Sequence, residues 1–197
     1  IVSGKEYKIG IQICEDMWDS DYDIKVIKQQ KKLGADFIIN ISASPYSKNR
    51  FKDRVDLIKN KIEDIQVPVF YCNLIGAQDE LVFDGCSIAF DGRGGCIGQA
   101  KSFQEDVLLI DLNNEETFDL EYKPRIQNIF DALCLGIKDY FSKTANTEAV
   151  VGLSGGIDSA IVATLACHAL GSENVHGVSM PSKYSSQHSK DDAKQLA

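Results

Sequence analysis

The glycine-rich residues 152–159 separate a predicted strand from a predicted helix and so limit the folds open to this chain. The short apolar run 149–151 precedes them, and an apolar segment with helical character, 159–170, follows. A second apolar run at 175–180 completes a strand–helix–strand unit of about thirty residues. Strands joined by such a crossover are parallel, so this part of the chain is predicted to begin an open parallel sheet.

The residue types in this segment suit an anionic ligand. Glycines permit backbone conformations that direct several N–H groups at one anion, and the positive end of the following helix adds to this attraction. Ser154 and Ser159 can donate hydrogen bonds to phosphate oxygens, whereas Asp158 would repel phosphate unless a Mg²⁺ ion lay between them. The Gly-Lys-Ser/Thr of lysine-containing triphosphatase loops is absent from the sequence. A metal-bridged pyrophosphate is therefore the predicted ligand, and a tight turn with serine capping is the alternative.

Strand and helix patterns alternate through the first two thirds of the chain. The predicted elements are strands at 9–13, 37–41 and 69–73 and helices at 22–33 and 51–65. Short strands broken by glycines are predicted from 81 to 112, which indicates hairpins. After a polar break at 113–116, apolar residues recur with helical spacing from 126 to 141. We therefore predict an α/β chain with a domain boundary near residue 118.

Cys14 follows the first predicted strand and enters a turn. Residues at the carboxyl ends of strands lie at the sheet edge where ligands of α/β proteins bind. A nucleophilic thiol needs a nearby base or cation to become a thiolate. The adjacent carboxylates of Glu15 and Asp16 instead disfavour the negatively charged form. The local residues therefore leave two interpretations open, a nucleophile and a buried structural cysteine.

Composition excludes several classes of protein. The chain has 197 residues, 44% of them hydrophobic and 25% charged, with a net charge of −8. These values argue against a disordered chain and against a nucleic-acid-binding footprint. No apolar run approaches the ~18 residues of a membrane span, so no membrane partner is expected. The six cysteines and three histidines lack zinc-site spacing, which predicts free and mostly buried cysteines in a reducing, cytoplasmic setting.

The segment Ser154-Gly155-Gly156-Ile157-Asp158-Ser159 resembles the Ser-Gly-Gly-x-Asp-Ser loop of the pyrophosphate-releasing ATPases, which adenylate a substrate and expel pyrophosphate. The run Met180-Pro181-Ser182-Lys183-Tyr184-Ser185-Ser186 looks specifically like the NAD synthetase members of that superfamily. The resemblance implies a Rossmann-like adenine nucleotide alpha hydrolase (PP-loop ATPase) sheet, with ATP as substrate and Mg²⁺ held by Asp158. The ATP-binding residues that it implies are Gly152, Leu153, Ser154, Gly155, Gly156, Ile157, Asp158, Ser159 and Met180.

The sequence Ile13-Cys14-Glu15-Asp16-Met17-Trp18 resembles the nucleophile motif of the nitrilase (carbon–nitrogen hydrolase) superfamily, as found in the glutaminase half of glutamine-dependent NAD synthetases. Residues 40–46 and 73–85 also look like segments of that family. The resemblance implies part of an αββα sandwich with Cys14 as the catalytic nucleophile. It further implies that Ser44 and Arg50 bind glutamine, with Lys48 as a rival to Arg50, since a guanidinium can bind both carboxylate oxygens at once. The alternative is a surface loop with a solvated basic cluster.

Together the two resemblances imply an interior fragment of a glutamine-dependent NAD synthetase. Residues 1–117 would be the C-terminal part of the glutaminase domain, and residues 118–197 the N-terminal part of the ATPase domain. Such an enzyme joins glutamine-derived ammonia to the adenylated carboxylate of deamido-NAD⁺, and we expect a cytoplasmic homo-oligomer. Nitrilase-type catalysis also uses an upstream glutamate base and a lysine. Lys5 and Glu6 are not assigned these roles, because the strand that begins at Ile9 carries them away from Cys14. Two alternatives stay open, another glutamine-dependent adenylating amidotransferase and a catalytically silent fragment.

Overall fold

The computed structural model describes residues 6–197, which divide into two compact units. The first unit consists of the described residues up to Gly76 together with Leu81–Arg125, and the second of Ala77–Glu80 and Ile126–Ala197. The extents 1–117 and 118–197 of a glutaminase and an ATPase domain stay a prediction. Lys5, which was considered above as a candidate oxyanion lysine, lies outside the described residues.

A mixed five-stranded sheet forms the centre of the first unit. The strands up to residue 99 are β1 (Ile9–Ile13), β2 (Phe37–Ser42), β3 (Val69–Asn73), β4 (Ile75–Gln78), β5 (Leu81–Asp84), β6 (Ile88–Phe90) and β7 (Cys96–Gln99). The sheet has the order β1-β2-β3-β6-β7, with parallel pairing among the first three strands and antiparallel pairing from β3 onward. The three predicted strands at 9–13, 37–41 and 69–73 are thus confirmed, and the structure shows that they pair in parallel. The strands predicted as far as residue 112 end at Gln99, since residues 100–112 contain no named strand.

Two helices cover one face of this sheet. Helix α1 (Val26–Lys32) packs on β1, and the longer helix α2 (Arg50–Ile65) packs on α1. The core between helices and sheet is apolar; its fully buried members include Met17, Ile27, Ile38, Ile58, Val69 and Phe90. The helix predicted over 22–33 begins later, at Val26, because a 3₁₀ turn occupies Asp19–Asp21 and Tyr22–Lys25 link it to the helix.

The opposite face of the sheet is apolar and open. Because successive residues of a strand point to opposite faces, Ile9, Ile11 and Ile13 of β1 share one side, and all three are exposed. Their neighbours in register on β2 are Phe37, Ile39 and Ile41, which continue the apolar surface across the sheet. The first unit therefore has one helical layer and one sheet of the predicted sandwich.

The second unit contains the strand–helix–strand arrangement predicted from the glycine-rich segment. Its elements from residue 125 onward are α3 (Arg125–Lys143), β8 (Ala149–Gly152), α4 (Ile157–Leu170), β9 (Val175–Val178) and α5 (Gln187–Leu196). Strands β8 and β9 pair in parallel, with Gly152 opposite Val178. Helix α4 begins two residues before the predicted Ser159, because Gly156 adopts an extended conformation and caps it. Strand β9 ends two residues before the predicted Met180.

No helix within residues 6–197 has the length and apolar character needed to cross a membrane. All six cysteines are free thiols, as predicted. The expectation that most are buried is wrong: only Cys86 and Cys96 are fully buried, Cys72 is exposed and the other three are half-buried. Cys72 is exposed because it lies on the open face of the sheet, next to Ile41 of β2.

Candidate functional site

Cys14 lies where the sequence predicts it, directly after β1, and begins a 3₁₀ turn at Cys14–Met17. Its φ angle is 45°, in the left-handed region that costs a non-glycine residue of order 1–3 kcal/mol. The amide of Asn40 donates to the Cys14 carbonyl at 3.3 Å, and the Asp16 carboxylate accepts the Ile13 N–H at 2.8 Å. These bonds close the turn on both sides of the half-buried thiol.

The chain after Cys14 is fastened to α2 by buried charges. Asp19 is buried; its carboxylate forms an ion pair with Lys61 and accepts the Val26 N–H at 3.1 Å. The Lys25 ammonium group donates to the carbonyl oxygens of Asp19, Ser20 and Tyr22 at 2.6, 2.9 and 2.5 Å. Lys61 of α2 and Lys25, the N-cap residue of α1, therefore stabilise the segment that follows the turn of the thiol.

Ser44 is buried between β2 and α2, and Asn73 holds its backbone. The Ser44 N–H donates to Asn73 Oδ1 at 2.9 Å, while Asn73 Nδ2 donates to Asp84 Oδ1 at 3.1 Å and to the Gly85 carbonyl at 3.0 Å. Lys48, the rival basic residue of this loop, is exposed. Ser44 is thus not part of a loose surface loop, in contrast to the alternative interpretation of this segment.

Arg50 is the first residue of α2, and its guanidinium carbon lies 5.1 Å from the centre of the Trp18 ring. The Nε atom of Arg50 is buried and has no hydrogen-bond partner among residues 6–197. Trp18 follows Cys14 by four residues, so the stacked ring connects the turn of the thiol with Arg50. Arg50 is half-buried, and a guanidinium with an unpaired, buried Nε is a group to which an anionic ligand could supply the missing partners.

Sequence reasoning missed a buried ion pair next to these residues. Arg54 and Asp84 are almost wholly buried and paired, and Arg54 Nη1 also donates to the Gly85 carbonyl at 3.2 Å. Burial raises the pKa of Asp84 above its ordinary value, and the positive charges of Arg54 and Arg50 oppose this rise. Two arginines face one carboxylate here, which leaves one net positive charge. The spacing of Arg50 and Arg54, four residues apart on one face of a helix, could have indicated two neighbouring cations but not the pairing of Arg54 with Asp84.

The glycine-rich loop joins β8 to α4 through a network of hydroxyl groups. Ser154 Oγ lies 3.1 Å from Ser159 Oγ and accepts the Gly156 N–H at 3.2 Å, while the Ser154 N–H donates to Ser159 Oγ at 3.3 Å. Gly155, with φ +81°, makes the sharp bend that brings these groups together. The hydroxyls of both predicted phosphate-binding serines thus lie at one place, at the start of α4.

The structure places the other predicted ATP-binding residues around this loop. Leu153 is buried and its N–H donates to the Val178 carbonyl at 2.9 Å, whereas Ile157 is exposed. The methyl carbon of Met180 lies 3.7 Å from the position that a Cβ on Gly152 would occupy. Met180 therefore lies beside Gly152 at the end of β8, and its assignment to an ATP site stays a prediction.

Asp158 lies in the first turn of α4 and is exposed. Within residues 6–197 its carboxylate makes no hydrogen bond or ion pair, and no group of three or more acidic, histidine or cysteine side chains there could hold a metal ion. A Mg²⁺ ion at Asp158 would take its remaining ligands from phosphate oxygens and water, which is the usual mode for this ion. The single free carboxylate fits a metal that arrives with a nucleotide.

Comparison with known proteins gives consistent matches for both units. The sequence profile of the NAD synthase family matches residues 129–197. The chain is 41% identical to the glutamine-dependent NAD(+) synthetase of Synechocystis sp., over 98% of this chain and 37% of that protein. It is 39% identical to the enzyme of the same name from Aquifex aeolicus, over 97% of this chain and 40% of that protein.

A solved structure agrees with these sequence matches. The glutamine-dependent NAD⁺ synthetase from Acinetobacter baumannii, in complex with ADP, superposes with a TM-score of 0.82 at 33% identity, over 94% of this chain and 36% of that chain. The chain thus spans less than half the length of the relatives that it matches. Over nearly all of its own length, this chain is similar to glutamine-dependent NAD(+) synthetases, and its residues 129–197 match the NAD synthase family.

Proposed function

We propose that this chain is part of an enzyme that makes NAD⁺ from deamido-NAD⁺, ATP and the amide nitrogen of glutamine. The observation that carries the proposal is the match over 96–98% of the chain to synthetases of that name, at 35–41% identity. The two units add independent support, since one carries a thiol at a strand end and the other a hydroxyl-lined glycine loop.

Glutamine hydrolysis is assigned to Cys14. Its sulfur attacks the side-chain amide carbon of glutamine, the carbon–nitrogen bond breaks, and ammonia leaves. The thioester that remains is hydrolysed by water to glutamate and free thiol. The strained φ of Cys14 and the bonds that close its turn support this role, because such strain is concentrated at functional sites.

Glutamine binding is assigned to Ser44 and Arg50. The buried pair of Arg54 and Asp84 and the half-buried Arg50 beside it include two cations and one carboxyl group, and the α-carboxylate of glutamine would supply a second negative charge. Arg54 is already paired with Asp84, whereas Arg50 Nε lacks a partner among the described residues. Arg50 is therefore the guanidinium that is available to the substrate, and it suits this role better than the exposed Lys48.

Adenylation is assigned to the loop after β8, with Met180 beside it. An oxygen of the deamido-NAD⁺ carboxylate attacks the α-phosphorus of ATP, and pyrophosphate leaves. Ammonia then attacks the activated carboxyl carbon, and AMP leaves as NAD⁺ forms. Ser154, Ser159 and the loop N–H groups would bind the pyrophosphate, and Asp158 would hold Mg²⁺ against its charge. The ADP complex of the Acinetobacter baumannii relative supports an adenine nucleotide as ligand.

We also propose that the enzyme is cytoplasmic and a homo-oligomer. Six free thiols support a reducing compartment. Exposed apolar side chains on α4, including Ile157 and Ile161, supply a surface that a second copy could cover.

The test replaces Cys14 by alanine in the full polypeptide that carries these residues. We expect glutamine-dependent NAD⁺ synthesis to be abolished and synthesis from added ammonia to be retained, because only the first needs the thiol. Cys72→Ala is the matched control, since Cys72 is an exposed cysteine on a strand of the same sheet. Loss of ammonia-dependent synthesis in Cys14→Ala, or survival of glutamine use, would refute the assignment. If the enzyme preferred another carboxylic acid over deamido-NAD⁺, the assignment of deamido-NAD⁺ as its substrate would be wrong.

A further inference from the structure

We propose that Trp18 is a positioning residue that orients the Arg50 guanidinium toward the α-carboxylate of glutamine and thereby makes the site selective for amides that carry this carboxylate. The inference rests on the proposed function of Cys14 and Arg50. It assigns a role to the tryptophan of the nucleophile turn, which neither motif resemblance explains.

The contact between Trp18 and Arg50 is a cation–π contact. The guanidinium carbon lies 5.1 Å from the ring centre, within the ~6 Å over which the ring quadrupole attracts a cation. The ring itself is fixed, because Trp18 packs against the buried core of the first unit. Its neighbour Asp19 forms an ion pair with Lys61, which joins the chain next to the ring to the helix that begins with Arg50.

The way in which Arg50 contacts the ring leaves its N–H groups for a ligand. A guanidinium that stacks on an aromatic ring uses its face, whereas it binds carboxylates through the donors at its edge. Asp84, the nearest acidic group of the cluster, already accepts from Arg54 and Asn73. Arg50 Nε is buried without a partner among the described residues. The indole ring therefore stabilises the half-buried guanidinium of Arg50 through its face and leaves the donors at its edge for a carboxylate.

Trp18 and Cys14 also belong to one rigid turn. The Trp18 N–H donates to the Glu15 carbonyl at 2.8 Å, and the three carbonyl bonds of Lys25 hold the residues that follow. The ring thus fixes the guanidinium relative to the thiol. In glutamine the α-carboxylate and the reactive amide are separated by a fixed number of bonds. A fixed distance between the Arg50 guanidinium and the Cys14 thiol therefore selects amides with that separation.

The experiment measures Trp18→Leu and Trp18→Phe variants of the full polypeptide with three nitrogen donors. The donors are glutamine, L-glutaminamide, in which a neutral amide replaces the α-carboxylate, and ammonia. Trp18→Leu should raise the KM for glutamine by about 5- to 30-fold with kcat changed by less than about 2-fold, since the aromatic face is lost. Trp18→Phe should recover most of this loss, because phenylalanine keeps a weaker aromatic face. Neither change should affect L-glutaminamide or ammonia by more than about 2-fold.

Each outcome decides between distinct explanations. Equal losses with glutamine and L-glutaminamide would overturn the proposal, because Trp18 would then only support the turn of the thiol. Unchanged kinetics in Trp18→Leu would overturn it as well. If Trp18→Leu does not fold, the same comparison is made with Trp18→Phe, whose loss must also be confined to glutamine. Failure of the proposed function would be seen separately, as an absence of glutamine use in the unmodified enzyme.

Discussion

Cys14 and Gly155, one residue at each candidate site, both have positive φ angles, of 45° and +81°. Glycine adopts this region freely, whereas cysteine does so at a cost of order 1–3 kcal/mol. The chain therefore accepts strain at the thiol and avoids it at the loop. Strain held by surrounding bonds, here from Asn40 and Asp16, is expected where a side chain must be presented in one orientation.

Gly155 should not tolerate a side chain, whereas the adjacent Gly156 should. A Cβ on Gly155 would lie 2.1 Å from the backbone oxygen of Ser189 at the start of α5, and its φ is positive. A Cβ on Gly156 would meet only Ser154 Oγ, at 3.4 Å, with an extended backbone. We expect Gly155→Ala to lower the free energy of unfolding by at least ~2 kcal/mol and Gly156→Ala to change it by less than ~1 kcal/mol. Urea unfolding curves measure the free energy of unfolding of both variants. Equal losses in Gly155→Ala and Gly156→Ala would contradict the close approach of the Ser189 backbone to Gly155.

Asp158 is the one acidic residue of the glycine-rich loop, and its carboxylate has no partner within residues 6–197. We expect Asp158→Asn to lower kcat/KM for ATP by about 30- to 1,000-fold with glutamine and with ammonia alike, because phosphate charge is then poorly neutralised. The Mg²⁺ concentration for half-maximal rate should also rise. Glu173→Gln, an exposed carboxylate in the same unit, is the control and should leave both quantities unchanged. A normal Mg²⁺ dependence in Asp158→Asn would exclude this residue as a metal ligand.

At the scale of elements, the sequence predicts what depends on neighbouring residues and misses what depends on distant ones. Strand β1 alternates apolar with small or polar residues and β3 is a short, mostly apolar run after Pro68, and the sequence predicts both with the observed bounds. The start of α1 was not, because the bonds from Lys25 to the preceding carbonyls have no periodic signal.

The same limit applies to the candidate site. The position of Cys14 at a strand end could be predicted, since it depends on one local boundary. The network of Asn73, Arg54 and Asp84 could not, because Arg54 lies 30 residues from its partner and a charged helix residue is ordinarily solvated. The ion pair between Arg54 of α2 and Asp84 of β5 depends on the tertiary structure, which no local pattern contains.

The buried ion pair between Arg54 of α2 and Asp84 of β5 should contribute strongly to the free energy of unfolding of the first unit. Arg54→Met leaves a buried carboxylate without its cation, so we expect a loss of about 3–5 kcal/mol in the free energy of unfolding. The double variant Arg54→Met/Asp84→Asn should recover more than half of this loss. Lys28→Met removes an exposed pair with Asp64 and serves as the control, with an expected loss below ~1 kcal/mol. Equal losses for the buried and exposed pairs would contradict the assignment.

The loss of unfolding free energy in Arg54→Met should depend on pH, and the raised pKa of Asp84 fixes the sign of that dependence. Burial raises the pKa of Asp84, so the folded protein takes up a proton at this group more readily than the unfolded chain does. The stability that it contributes is present below the ordinary pKa and is lost as the pH rises through the raised value. Removal of Arg54 raises the pKa of Asp84 further. The destabilisation by Arg54→Met should therefore be smaller at about pH 5 than at about pH 8, and the reverse order would contradict this account.

At the scale of the whole molecule, the five-stranded sheet has one covered face and one open face. Helices α1 and α2 cover the first, whereas the second exposes Ile11 and Ile13 by 61% and 69%. In an αββα sandwich two sheets pack face to face, and the inner faces are apolar on both sides. The open face has the composition of such an inner face, which agrees with a chain that corresponds to less than half of its relatives.

The open sheet face should make the 197-residue chain self-associate when it is purified by itself. A contiguous apolar surface in water is stabilised by burial against another copy, at ~25 cal/mol for each Å² removed from solvent. We expect a weight-average sedimentation coefficient that rises with protein concentration, together with enhanced fluorescence of the dye ANS. Ile11→Lys places a charge on this face in the middle of the edge strand β1 and should lower both signals. Leu109→Lys changes a residue that is 94% exposed but lies outside the sheet, and should lower neither. A monomer that does not bind ANS would show that this face is covered in solution.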